Sequence, residues 1–450
     1  MAVVRNPASG KLCTSNAEPL YSGGTWKTAW EKVVKVLVLG GGVIGVTSAY
    51  CLSRAGHEVT LVDRQSGPGE ETSFANGGQI SAGLAEPWAN PEVPRQLLQW
   101  LAQKNPPLGL RLSAGADFWG WALRFLGNCA TRPSTRNLEH ALQIALYSRE
   151  QLHSIRETTG ITYAQTEGIL KIYRHERAFD HARRRLAIMN ALGSNLRALD
   201  IDACLALEPS LTPIAGELAG AIYSPDDESG DAYQFTVKLA EAARRLGTAF
   251  KFGHNVEKLV PQGERIERVV TDRESLSTDC VVVSLGSYSP LLLRPLGIRL
   301  PICPAKGYSV TLPIRNGADS HAPSRSITDE GKKLVLSRFG NRLRVAGTAI
   351  FTGYDTTIEP EPCDALAKAL ETIFPGTVDQ NKPTYWAGLR PMTPDTLPII
   401  GPTPFSNLFL NTGHGTYGWT MAAGSGQILT DLITGDPSQI EANNFAMDRF

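Results

Sequence analysis

The chain has 450 residues, which at roughly 100–200 residues per domain implies two or three domains around a sizeable core. Its 44 Lys and Arg balance 44 Asp and Glu, so bulk charge recommends neither nucleic acid nor an anionic lipid surface as partner. A hydrophobic content of 42% with 20% charged residues excludes collagen-like and wholly disordered chains. The seven cysteines are scattered and form no C-x-x-C pair, so no metal site is expected and a reducing, cytoplasmic location is the simpler expectation.

Residues 1–32 lack the apolar core and cleavage site of a secretory signal and are expected to form a flexible tail. Residues 36–53 carry no charge and are about long enough to cross a bilayer. Gly40, Gly41, Gly42 and Gly45, with Thr47 and Ser48, instead indicate a buried strand running into a tight turn. The strand is 33–39 (VVKVLVL), almost continuously apolar, as a parallel strand covered on both faces should be.

GGGVIG at 40–45 follows at once, a G-x-G-x-x-G motif. Gly40 allows the sharp turn and Gly42 lets the backbone approach a pyrophosphate, which the amides of the helix opening at Val43 and Ile44 can bind. Gly45 lets helix and strand pack closely. The helix is expected over 43–55 with Gly56 as its C-cap, and a second strand over 58–62 leads into Asp63. That acid lies about 20 residues beyond the motif, where a carboxylate accepts hydrogen bonds from adenosine ribose. It favours NAD or FAD over NADP, although the neighbouring Arg64 argues the other way.

An NAD enzyme would continue with further strand–helix units. Here ETSFANGGQI at 71–80 intervenes, and its Ser73, Asn76, Gly77, Gly78 and Gln79 can line a ribityl chain or a ring face, which points to FAD; a plain surface loop is the alternative. Residues 117–126 (DFWGWALRFL) form a helical stripe, read as core packing or, because Trp119 lies on another face, as a membrane-facing or quinone-facing patch. Asp226, Asp227 and Glu228 read as a solvated turn rather than a metal site. A helix is expected over 231–246, short strands over 249–252 and 257–260, and a buried strand over 280–284 ending at the Gly286 turn. Near the other end a short strand at 408–410 enters NTGHGTYGWT at 411–420. There Gly413, His414, Gly415, Thr416 and Gly418 feed a helix that runs to Gly435. Amides at such a helix start can stabilise negative charge on a reduced flavin.

VLVLGGGVIG, ETSFANGGQIS, GSYSP, KGYS, GLRPMTPD and NTGHGTYGWTMAAGSGQ, in this order, resemble the small subunits of bacterial D-amino acid dehydrogenases, a group within the D-amino acid oxidase-like FAD-dependent oxidoreductases. The resemblance runs from about residue 33 to the end. It implies an α/β and α+β fold with a discontinuous Rossmann-like FAD-binding domain (33–90, 228–300, 386–450) and a substrate domain with an antiparallel sheet (91–227, 301–385). It also implies that Val256 lies on the adenine side and Gly286 near the pyrophosphate. The implied activity is oxidative deamination of D-amino acids, D-alanine foremost, to 2-oxo acids and ammonia. Electrons would pass to a quinone or other respiratory acceptor, with peripheral association at the cytoplasmic face of the inner membrane. A related amine or hydroxyproline dehydrogenase or oxidase, or an inactive FAD-binding subunit, is the alternative.

Amino-acid oxidation needs a carboxylate anchor, and Arg390 offers two parallel donors that a lysine could not reproduce. The resemblance gives the Arg of this motif that role. Tyr308 is either a hydroxyl donor to the same carboxylate or a half-buried strand tyrosine, and Lys306 a flavin-side cation or a surface residue. His414 serves as a flavin donor, a structural hydrogen bonder or a proton acceptor.

Overall fold

The computed structural model describes residues 33–95, 108–110 and 116–450. The tail expected over 1–32 lies outside the described residues. Two sheets organise the chain. The first has six strands in the order Ile399–Pro402, Leu408–Thr412, Cys280–Val283, Lys35–Leu39, Glu58–Asp63, Ala249–Phe252. All neighbours are parallel except Ile399–Pro402, which runs antiparallel to Leu408–Thr412.

Alternation explains why the opening strand is apolar throughout. Val36 and Val38 point into one core with the helices Val43–Arg54, Ala232–Arg245 and Gly418–Thr434, whereas Leu37 and Leu39 point into another with Leu259, Ile266 and Val269. The second core belongs to the three-stranded meander Val256–Gln262, Arg265–Thr271, Ser275–Leu276. Each of these four side chains, buried from both directions, contributes about 2 kcal/mol of transfer free energy.

The expected helix at 231–246 is Ala232–Arg245, capped by the Asp231 carboxylate, which accepts from the Tyr233 and Gln234 amides at 3.1 and 3.3 Å. The first helix and the last lack such a side-chain cap.

The second sheet has ten strands and is mostly antiparallel. Its main path is Thr384–Met392, Cys303–Pro313, Arg342–Phe351, Leu334–Phe339, Ser326–Asp329, Thr166–Tyr173, Gly220–Ser229, Gln79–Ile80. Leu108–Leu110 and Arg197–Leu199 add at its sides. Helix Pro360–Ile373 covers one face, burying Cys363, Leu366 and Leu370 against Tyr308, Val310 and Leu312. The long helix Thr131–Thr159 packs on the last helix instead. Contact there is so close that a Cβ on Gly424 would lie 2.9 Å from Ser148 Cα, and Ser148 Oγ accepts the Gly424 amide.

The solvated turn expected at 226–228 is not one. These residues lie within strand Gly220–Ser229, and Asp227 and Glu228 are buried. Asp227 accepts the Gly83 amide on both oxygens at 2.9 and 3.1 Å, and burial pushes its carboxyl up to about 6. Glu228 accepts from the Tyr163 hydroxyl at 2.6 Å and from Arg156 at 2.9 Å. Sequence alone shows the acids but not these distant donors, which make burial tolerable.

The turn between the first strand and helix has no room for a side chain. Gly40 has φ +112°, and a Cβ on Gly45 would sit 1.8 Å from the Gly40 carbonyl oxygen. Gly45→Ala is therefore expected to cost about 2–3 kcal/mol by forcing helix and strand apart. Calorimetry should show a lowered unfolding temperature, and an unchanged one would refute the close packing.

Candidate active site

Between the carboxyl ends of the six-stranded sheet and the face of the ten-stranded sheet opposite helix Pro360–Ile373 lies one cavity of about 1460 Å³. A single small-molecule site occupies about 300–1,000 Å³, so this one can hold a dinucleotide and still admit a second small molecule. Its first wall is the glycine turn with Gly40, Gly42, Val43 and Ile44, closed by Asp63 and Arg64. Ser73, Asn76, Gly77, Gly78 and Gln79 form a second wall, and Val256 and Gly286 a third. His414, Gly415, Thr416 and Gly418 come from the other end of the chain. Two of the sequence-derived glycines, Gly45 and Gly413, are not among the lining residues: Gly45 backs the turn, and Gly413, at φ +75°, faces Thr393 and Ile302.

The local chemistry of these walls suits a dinucleotide. Gly42 and Tyr417 give the two helices no side-chain cap, and although Ser73 accepts the Val43 amide, both helix starts line the cavity, where their positive ends suit an anionic ligand. Ser284 and Thr416 line the cavity, and their buried hydroxyls have no hydrogen-bond partner among the described residues. Asp63 accepts from the Gly41 amide, and at 2.7 Å from the Gln65 amide, which fixes its carboxylate at the strand end. Burial raises its pKa against those hydrogen bonds. Arg64 is engaged elsewhere: Nε donates to Glu71 at 2.6 Å and the guanidinium lies 4.2 Å from the Tyr288 ring centroid. The doubt that Arg64 raised over a ribose phosphate thus meets an arginine already paired.

The 71–80 loop is held from below by the ten-stranded sheet. Ser73 Oγ accepts the Val43 amide at 2.9 Å, Ser309 donates to the Ala75 carbonyl at 2.6 Å, and Ser337 donates to that of Gly77 at 2.7 Å. Gln79 bonds Ser326 and Thr328. Arg344, buried without a carboxylate, donates to the Asn76 carbonyl at 3.1 Å and to Thr311 at 2.9 Å.

Arg390 projects into the cavity from strand Thr384–Met392. Its Nη1 donates to the Thr348 carbonyl at 2.9 Å, and among the described residues no carboxylate pairs with it. It keeps part of its surface open to the cavity, while the surrounding protein removes enough water to draw its pKa down to about 10, so it remains charged at neutral pH. On the same face lies an aromatic wall. The Trp121 ring, fixed by an Nε1 bond to the Met392 carbonyl at 2.8 Å, stands 5.3 Å from Phe351 and 5.1 Å from Phe125. On helix Ala116–Asn128, Trp121 and Phe125 are buried, as core packing requires, whereas Trp119, Leu123 and Leu126 are exposed, Trp119 and Leu126 at the edge of the cavity.

Tyr308 lines the same cavity as Arg390, but its side chain does not stand beside the guanidinium. Arg390 pairs with Ala305 and Tyr308 with Ala387, so alternation sends the two side chains to opposite faces. Tyr308 packs toward helix Pro360–Ile373, fully buried rather than half-buried, with Lys306 Nζ 5.2 Å from its ring centroid. Lys306 is on that face too, 1% exposed and bonded to Asp355 at 2.9 Å, neither a flavin-side cation nor a surface residue. His414 is 2% exposed, bonded through Nε2 to Ser425 at 3.1 Å, and burial lowers its pKa to about 3. It stays neutral, which disfavours proton transfer through it.

Sequence reasoning missed a polar cluster that lines the same cavity. Glu86 meets Lys171 at 3.3 Å and Arg185 at 2.8 Å, and its carbonyl accepts from Tyr417 at 2.7 Å. No spacing relates these residues. It also missed the parts that hold Arg390.

With this geometry in place, comparison with known proteins is decisive for the family. The model of the DAO family, described as FAD dependent oxidoreductase, matches residues 35–432. The chain belongs to this family. A D-amino acid dehydrogenase of Paramagnetospirillum magneticum is 48% identical over 419 residues, 93% of this chain and 99% of the relative. One of Dechloromonas aromatica is 48% identical over 408 residues, 89% of this chain and 97% of that protein. Among solved structures, L-proline dehydrogenase from P. horikoshii has a TM-score of 0.73 at 20% identity, covering 93% of this chain and 98% of its own, a likeness of fold. Membership fixes the cofactor class as FAD, and the α/β and α+β architecture expected from sequence is the one found. No helix among the described residues is long and apolar enough to cross a membrane.

The state of His414 makes a testable link to pH. An unfolded histidine titrates near 6.5, so between that value and about 3 the unfolded chain binds the extra proton. The stability due to its neutral burial is complete above 6.5 and is lost as pH falls, at up to about 1.4 kcal/mol per pH unit. His414→Gln should lose stability less steeply than the native protein from pH 6.5 to 4.5, read by unfolding temperature against pH. Parallel curves would mean that His414 is solvated.

Proposed function

We propose that this protein is an FAD-dependent D-amino acid dehydrogenase, converting a D-amino acid to an imine that water hydrolyses to a 2-oxo acid and ammonia. The observation that carries this reading is Arg390, a charged guanidinium with no carboxylate partner among the described residues, opening into the same cavity as the glycine turn. A substrate carboxylate completes it. Bound FAD supplies the two-electron acceptor for the α-hydrogen and its bonding pair. The glycine turn, Asp63 and Ser73 would hold its adenosine and pyrophosphate, and the amides before the last helix would face the charge-accepting part of the ring.

The chain's own contribution is then positional. Arg390 fixes the carboxylate, the wall of Trp121 and Phe351 excludes water beside it, and His414, held neutral by burial, leaves no competing positive charge at the helix entrance. The D configuration is favoured by the names of relatives that match nearly end to end, and D-alanine is the first substrate to test. We assign the electrons to a quinone or other respiratory acceptor. The same reading puts the protein in the cytoplasm, at the inner face of the membrane that holds such acceptors, where the outward Trp119, Leu123 and Leu126 offer apolar surface.

The test is anaerobic addition of D- and L-alanine to the purified holoenzyme. D-Alanine should bleach the flavin absorbance and L-alanine should not, and a soluble quinone should restore the colour faster than oxygen does. Bleaching by L-alanine alone, or by neither, refutes the proposal. Arg390→Ala should retain FAD but lose about 3 kcal/mol of substrate binding, about a hundredfold in KM, because a charge-assisted pair is removed from a partly desolvated site. Unchanged KM would remove Arg390 from the assignment.

A further inference from the structure

The KGYS run contributes more than its tyrosine. Gly307 pairs with Gly388 on the neighbouring strand, leaving a patch of sheet without side chains on the cavity face. Two large groups fold across it. A Cβ on Gly388 would lie 2.3 Å from Trp386 Cη2 and Cζ2, and a Cβ on Gly307 would lie 2.1 Å from Arg390 Nη1 and 2.5 Å from Cζ and Nη2. The Arg390 guanidinium therefore occupies the space that any other residue at 307 would fill.

The neighbouring strand supplies the second restraint. Pairing between Cys303–Pro313 and Arg342–Phe351 shifts between Lys306 and Tyr308, where one extra residue bulges from the Arg342–Phe351 side. Thr348 sits in that bulge with φ +60°, a strained conformation for a β-branched residue. Its carbonyl takes the Arg390 Nη1 hydrogen bond. One donor is thus tied down, and the remaining donors of the fork have no protein acceptor among the described residues.

We propose that Gly307 is a positioning residue for substrate binding: its missing side chain and the Thr348 bulge hold the Arg390 guanidinium flat on the sheet, with its free edge presented to a carboxylate. This inference rests on Arg390 being the carboxylate anchor. An arginine already held in place loses less conformational freedom when the anion arrives, so the site binds more tightly than a mobile arginine would.

The test is a double-mutant cycle on the holoenzyme, with Gly307→Ala, Arg390→Ala and both together. Benzoate, a carboxylate with no α-hydrogen to oxidise, is titrated against the flavin absorbance, and KM and kcat are measured with D-alanine. Gly307→Ala should weaken benzoate and raise KM by about tenfold each, with FAD content retained and kcat changed less than threefold. In the Arg390→Ala background the same substitution should change benzoate affinity less than twofold.

If Gly307→Ala weakens binding equally in both backgrounds, or in neither, the positioning role is wrong. If Arg390→Ala alone leaves benzoate binding intact, the anchor reading fails first. Should the single Gly307→Ala chain fail to fold, removing the guanidinium makes room for the new methyl group. Recovery of folded holoenzyme in the double variant then supports the proposal, and failure of both overturns it.

Discussion

A guanidinium set in a protein wall without a carboxylate costs several kcal/mol in lost hydration, and the cavity is arranged around making that tolerable. Arg344 and Arg390 show two solutions on strands that flank Cys303–Pro313. Arg344 is buried, its donors taken by Thr311 and the Asn76 carbonyl, with its face 4.7 Å from the Phe339 centroid. It is a structural tie between the sheet and the 71–80 loop. Arg390 has one carbonyl and keeps the rest of its fork open to the cavity. The difference between a structural arginine and a binding one is thus visible in how many donors the protein itself consumes.

The opposite wall solves the converse problem, bringing backbone close to an anionic ligand. At the first helix the absent Cβ atoms of Gly40 and Gly45 let strand, turn and helix stack at backbone contact. Ser73 then reaches across from the next loop to take the Val43 amide, coupling that loop to the turn. The loop in turn hangs from the ten-stranded sheet through Ser309 and Ser337, so cofactor wall and Arg390 wall share one framework. A ligand spanning both meets a prearranged surface.

The first strand, the glycine turn and Asp63 were legible because each is dictated by neighbours a few residues away. The last helix, Gly418–Thr434, was legible for the same reason, from its glycine-rich entry to Gly435. Motif order carried the family. What escaped depends on partners distant in sequence. Asp227 reads as solvated until Gly83 comes into view, and Lys306 until Asp355 does. Tyr308 and Arg390 stand in motifs that both belong to the site, yet strand register sends them to opposite faces, and register is set by pairing across some eighty residues. The strained Thr348 leaves no mark in composition or spacing.

The order of strands in the six-stranded sheet has a consequence for synthesis. Lys35–Leu39 lies between Glu58–Asp63 and Cys280–Val283, and the latter pairs with Leu408–Thr412. On the ribosome Lys35–Leu39 can find its first neighbour within seconds, but its second emerges hundreds of codons later and the sheet closes only once Leu408–Thr412 has followed. Until then a row of unpaired backbone groups beside valines and leucines stands open to other nascent chains, which makes this a natural client for chaperones and a poor subject for truncation from the carboxyl end.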